Sequence, residues 1–178
     1  WTTPQGDPLG LFEIRFAAFH NSKLFIVSSP TIKDASKIEE QFEAGDQRSC
    51  YLPCPHCDER QTLKWSNLRW TANAHRVTRA WYVCEHCGCE IEEYNKSAML
   101  ASHRWVAANP GAMYRSYRIN GLYTPIGLGR SWLQLAQEWI EAQGDPRKLV
   151  VFVNTRLAET WADRSHDLKP NVLIARAE

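Results

Sequence analysis

The apolar positions at the start of the chain fall into two kinds of run. Leu9, Phe12 and Phe16 recur at helical spacing behind Asp7-Pro8, an N-cap followed by a proline at the first helical position. This predicts a helix reaching about Phe19. Leu24-Phe25-Ile26-Val27 is instead a short continuous apolar run, the pattern of a strand buried on both faces, and it ends in Ser28-Ser29-Pro30-Thr31. A second helix is predicted from about Ala35 to Ala44, with Ile38 and Phe42 inward and Gly45 as its stop. Helix, buried strand, polar turn and helix together read as a piece of an α/β sheet. Chemistry in open parallel sheets sits at the carboxyl ends of strands, where Ser28, Ser29 and Thr31 fall. The same residues also make an ordinary turn and cap, and spacing alone favours the turn.

Periodicity changes in the middle. Gln61 to Trp65 and Ala80 to Val83 read as strands, Glu93 to Ser102 as a short helix, and Tyr114 to Ile119 as an alternating strand. Ser131 then caps a helix with Trp132, Leu135, Ala136, Trp139 and Ile140 on one face, closed by Gly144. Asp145-Pro146 opens another, on which Leu149, Phe152, Val153, Leu157 and Trp161 share a face. These aromatic stripes read as core. Gly127-Leu128-Gly129-Arg130-Ser131 is not a phosphate loop, because Thr124 stands where the first glycine belongs and Arg130 replaces the lysine.

Six cysteines add chemistry to this pattern. Cys54-Pro55-His56-Cys57 and Cys84-Glu85-His86-Cys87-Gly88 are two matched units, each placing two thiolates on one tight turn. Two such turns on two hairpins supply the four tetrahedral sulfur ligands that zinc prefers. A redox dithiol needs one pair beside a strand-helix unit, and a disulfide framework suits a secreted chain, for which no leader is seen. Structural Zn2+ on Cys54, Cys57, Cys84 and Cys87 is therefore preferred. A closed four-thiolate shell leaves no position for water or substrate, so this zinc holds a small lobe together rather than catalysing. His56 and His86 then read as exposed turn residues. Cys50 and Cys89 are surplus, although Cys89 offers an alternative to Cys87.

Composition sets bounds. The 178 residues carry 21 basic and 20 acidic side chains, a net charge of +1, which does not mark the whole chain as a basic nucleic-acid binder. No apolar run approaches the roughly 20 residues of a membrane span, so no membrane partner is expected. Between the knuckles lie Arg60, Lys64, Arg69, Arg76 and Arg79 with no acidic residue from 60 to 79. They are candidate phosphate-backbone contacts, with Trp65, Trp70 and Trp81 as stacking candidates. A solvated hairpin is the competing reading.

The order of these elements resembles the large subunit of tailed-phage DNA-packaging terminases of the lambda-like type with an intervening zinc ribbon. The resemblance is carried by Leu24–Ile32 (LFIVSSPTI), Gly45–Cys57 (GDQRSCYLPCPHC), Leu63–Trp70 (LKWSNLRW), Trp81–Gly88 (WYVCEHCG), Gly121–Pro125 (GLYTP), Ser131–Trp132 and Phe152–Trp161 (FVNTRLAETW). It implies an α/β fold: the C-terminal part of a P-loop ATPase parallel-sheet domain, with an inserted small β zinc ribbon and following helices. It also implies an internal part of a motor that uses ATP and Mg2+ to package DNA into procapsids, joined to an endonuclease that cuts concatemeric DNA. Ser28, Ser29 and Thr31 then look like its ATPase coupling motif, and Arg48 a structural or phosphate-facing arginine. The partners implied are double-stranded viral DNA, the terminase small subunit and the portal or procapsid, in the host cytoplasm.

On this resemblance, residues 1–49 carry the end of the ATPase core, 50–92 the zinc ribbon, and 93–178 the rest of the ATPase domain. The phosphate loop, the acidic magnesium strand and the nuclease carboxylates are expected outside the chain, so the chain alone is expected to be inactive. Asp163 and Asp167 are carboxylates without a nuclease-like setting. The alternatives are a stand-alone zinc-ribbon module binding nucleic acid or protein, and a zinc hydrolase. The module would close a complete core; the terminase reading leaves Leu24–Val27 lacking a neighbouring strand. The hydrolase requires an open metal position.

Overall fold

The computed structural model describes residues 8–16 and 18–162; Asp163 and Asp167 lie outside them. Helix α1 (Pro8–Phe16) begins at the expected proline and stops short of Phe19, and Phe12 is exposed. Leu24–Val27 forms no strand. Phe25 is 86% and Val27 76% exposed, and no strand among the described residues lies beside them. Backbone buried on both faces must find ladder partners, and here there are none to supply them. The described residues form a mixed α/β structure with largely antiparallel sheets.

Helix α2 (Lys37–Ala44) follows Ser36 and half-buries Ile38 and Phe42. The Arg118 guanidinium lies 4.3 Å from the Phe42 ring and pairs with Glu39 at 3.2 Å. Gly45 does end this helix, but its φ of −89° is not left-handed. Glycine is required there for space: a Cβ would stand 2.4 Å from Ser116 Oγ. That hydroxyl donates to the Phe42 carbonyl and accepts from the Gln47 N–H, both at 2.8 Å.

Strand β1 (Arg48–Pro53) alternates, turning Cys50 and Leu52 into the core. It pairs antiparallel with β2 (Arg60–Gln61) and β6 (Arg104–Ala107), and parallel with β7 (Tyr117–Arg118). The predicted strands over 61–65 and 114–119 are thus each cut short: Trp65–Asn67 is a 3-10 turn, and only Tyr117 and Arg118 pair. The second sheet has β4 (Arg76–Val83) between β3 (Leu68–Asn73) and β5 (Glu90–Ile91). The arginine-bearing stretch between the knuckles is mostly the β3–β4 hairpin, turned at Ala74 with φ 53°.

Helix α3 (Lys96–Ala101) lies within the predicted 93–102 span. Helix α4 (Trp132–Ala142) starts with a full capping box between Ser131 and Gln134, and α5 (Pro146–Phe152) with the Asp145 side chain accepting from Arg147 N–H. A π-turn over Val153–Leu157 follows, then Ala158 at φ 54°. Beyond it Trp161 bridges to Ile32: its N–H donates to Thr31 O at 2.9 Å, and its C=O accepts from Lys33 N–H at 3.0 Å. Leu52, Leu63, Leu68, Tyr82, Ile91, Leu122, Trp132 and Leu135 pack into one core shared by both sheets and α4.

Candidate metal centre

Both sheets deliver a cysteine turn to the same point. The Cys54–Cys57 turn connects β1 to β2, and the Cys84–Cys87 turn connects β4 to β5. The two are built alike. Cys54 N–H donates to Glu59 O and Asp58 N–H to Cys54 O; Cys84 N–H donates to Cys89 O and Gly88 N–H to Cys84 O. Each turn closes on a left-handed residue, Asp58 at φ 61° and Gly88 at φ 70°. In each, the backbone N–H of the histidine donates to the first cysteine's sulfur at 3.4 Å, His56 to Cys54 and His86 to Cys84.

The four Sγ atoms of Cys54, Cys57, Cys84 and Cys87 all lie within 4.8 Å of one another, and the Cys54–Cys87 and Cys57–Cys84 pairs are 3.9 Å apart. A tetrahedral zinc with Zn–S bonds of about 2.3 Å places its sulfurs about 3.8 Å apart. The donor set therefore fits a structural zinc, and two of its spacings are already those of a tetrahedral site. The metal-free thiols are not equivalent. The Cys89 backbone N–H and the neighbouring thiols hold Cys87 down at about 6. Cys57, despite the Glu59 backbone N–H that pulls it down, is pushed up to about 12 by burial and by the surrounding thiols. A divalent cation displaces the remaining protons from such a cluster, since the thiolate is the ligand.

The histidine rings point elsewhere. His56 Nε2 lies 3.0 Å from Glu90 O, which ties the first knuckle to β5, and the His86 ring faces Glu85. Cys50 is buried in β1, where burial pushes its thiol up, and it is not part of the cluster; nor is exposed Cys89. Gln61, fully buried between the knuckles, accepts from Glu85 N–H at 2.9 Å. That link was not anticipated; an amide beside the metal turn was its only trace in the sequence.

Most of the cationic candidates have protein partners. Arg79 pairs with both Glu90 and Glu92 while stacking on Trp81 at 4.4 Å, and Lys64 pairs with Glu85 at 2.7 Å. Arg60 donates to Ser102 O, and Arg69 to Ser66 O and Leu68 O. Arg76 is exposed at the hairpin tip. Of the stacking candidates, Trp65 and Trp70 pack against each other, with Trp65 also against Trp139 and Phe152. Arg48 bonds Asp46 at 2.7 Å and lies 6.0 Å from the Tyr117 ring centroid, so its partners here are local. Ser28, Ser29 and Thr31 are exposed around buried Pro30; Ser28 Oγ donates to Ser29 O, and Thr31 N–H donates to Ser36 Oγ. No described helix is long and apolar enough to cross a membrane.

Comparison with known proteins gives this arrangement a family. The family model for the ATPase domain of the phage terminase large subunit gpA matches residues 2–105, and that for the gpA endonuclease domain matches 114–178. The second match falls within the 93–178 stretch. The large terminase subunit of Enterobacteria phage P21 is 30% identical over 89% of this chain, and that of Escherichia phage lambda 25% identical over 88%. The chain spans 28% of the length of each relative. No solved structure matches it significantly. With the ATPase-domain match covering more than half of its residues, the chain belongs to the gpA family of phage terminase large subunits.

Proposed function

We propose that this chain is a segment of a viral DNA-packaging motor that uses ATP and Mg2+ to move double-stranded DNA into a procapsid and cleaves concatemeric DNA. Its partners on this reading are viral DNA, the small subunit and the portal, in the cytoplasm of an infected host. Within the segment, Cys54, Cys57, Cys84 and Cys87 hold a structural zinc over a ribbon of about residues 50–92. Ser28, Ser29 and Thr31 form the ATPase coupling motif in residues 1–49. The single observation that carries the proposal is the pair of matches, ATPase then endonuclease, laid along one chain. The exposed Leu24–Val27 segment adds support, because an apolar run without ladder partners suits a strand of a larger parallel sheet better than a self-contained binding module.

Two measurements test this. The purified chain should hold one zinc per molecule, and its cobalt form should show the intense sulfur-to-metal absorption of a four-thiolate site; a water-bearing site would restore the hydrolase reading. In a full-length protein carrying this segment, Thr31→Ala or Ser29→Ala should lower ATP turnover by about tenfold or more while nucleotide binding persists. Unchanged turnover in both variants would remove the coupling assignment.

A further inference from the structure

The zinc-binding lobe and the helices of the nuclease-matched stretch are not separate bodies. Leu63 N–H donates to Tyr123 Oη, which in turn donates to Cys50 O, both at 2.7 Å, and Asn120 Nδ2 donates to Leu63 O at 2.9 Å. At the other end of the lobe, Val77 N–H donates to Gln137 Oε1, and Gln137 Nε2 to His75 O, both at 2.9 Å. Between these points lies an aromatic seam. Trp65 meets Trp139 at 5.5 Å and Phe152 at 5.1 Å, and Tyr82 meets Trp132 at 6.0 Å. Fully buried Lys96 lies 5.2 Å from the Trp132 ring and pairs with Glu93, whose same oxygen accepts the Trp132 N–H. Apart from the Lys96–Glu93 pair, each contact named joins a residue of the ATPase-matched stretch to one of the nuclease-matched stretch.

We propose that the zinc lobe is a metal-dependent clasp: zinc on the four cysteines keeps α4 and α5, in the nuclease-matched stretch, seated on the ATPase-matched stretch. The proposal rests on the zinc reading above and goes beyond it. Its physical basis is the shortness of the ladders on which the knuckles close and the core that the knuckles share with the helices. β2 and β5 are two residues long, so each knuckle closes on a minimal ladder, although β4, which presents Tyr82, is itself paired along β3. Besides the sulfurs, the arms of the two knuckles are joined by the His56–Glu90, Gln61–Glu85 and Lys64–Glu85 contacts and by the Tyr82 hydroxyl, which donates to Thr62 O and accepts from Lys64 N–H. Cys54 and Cys84 belong to the same buried cluster as Tyr123, Trp132 and Leu135, so loosening the knuckles loosens the seat. On this proposal the lobe and the helices unfold as one cooperative unit.

Hydrogen exchange read by mass spectrometry on the zinc-loaded chain, before and after EDTA, tests the clasp. Removal of zinc should speed exchange over residues 132–152 by about tenfold or more, together with 63–83. If 63–83 lose protection and 132–152 keep theirs, the clasp is overturned and the zinc assignment survives. A chain that takes up neither zinc nor cobalt overturns both. The zinc-loaded Trp139→Ala variant should retain its metal and the protection of 50–57 and 84–91 while 139–152 exchange faster. Unchanged exchange over 139–152 in this variant also overturns the clasp.

Discussion

Single side chains carry unusual weight where they sit between distant parts of the chain. Tyr123 is the clearest case: its hydroxyl donates to one buried carbonyl and accepts from one buried N–H, and burial raises its pKa well beyond the usual tyrosine range. Tyr123→Phe strands both partners, so it should cost about 1–3 kcal/mol in a denaturant melt, more than a surface Tyr→Phe change. The two knuckles make a second, paired comparison. Gly88 and Asp58 occupy equivalent left-handed positions, and nothing lies within 4 Å of a Cβ built on Gly88. Gly88→Ala should therefore destabilise the zinc-loaded chain by about 1 kcal/mol through conformation alone. Asp58→Gly, which relieves the same penalty in the first knuckle, should be neutral or stabilising in thermal melts.

At the scale of elements, the join between α2, β1 and β7 is a small electrostatic knot. Buried Asp46 accepts from Ser116 N–H at 3.0 Å and from Arg48 Nε at 2.7 Å. Burial alone raises its pKa, but these two hydrogen bonds and the nearby guanidinium charges outweigh it and hold the carboxyl below its ordinary value. A carboxylate with a depressed folded-state pKa stabilises the fold above its unfolded pKa, and that contribution fades as pH falls through the folded value. Wild-type stability should therefore drop on acidification below about pH 4. Asp46→Asn should flatten that part of the profile in urea titrations at successive pH values.

The same scale shows what could be read in advance. Helices α4 and α5 announced themselves through caps, a proline and an apolar stripe, because those signals are local. The cysteine turns did so through spacing. Strands β1, β3 and β6 did not, because Arg48–Pro53, Leu68–Asn73 and Arg104–Ala107 are short and acquire their faces only from partners far along the chain. Leu24–Val27 failed for the reverse reason: its composition describes a buried strand, and a strand needs neighbours that the described residues do not provide. The run of basic residues was legible as composition, but the partners of its side chains were not. Sequence spacing does not reveal that Glu85, Glu90 and Glu92 fold back onto Lys64 and Arg79.

For the whole molecule, the ATPase and nuclease matches meet at a shared core rather than at a linker. Because the sequence carries no phosphate loop, the purified chain should show no ATP hydrolysis above background in a coupled assay. Turnover that survives repurification would contradict the functional proposal.

The Tyr123 bridge also has a bearing on how the protein is born. Its two hydrogen bonds connect residues 60 and 73 positions apart, and helix α4 lies later still. During synthesis, all four cysteines leave the ribosome well before the side chains that complete their lobe. For some seconds, at roughly 5–20 residues added per second, the nascent ribbon has its metal ligands but not its floor. Early zinc capture would then act as a placeholder. Cells short of zinc should accumulate insoluble nascent chain rather than folded protein without metal.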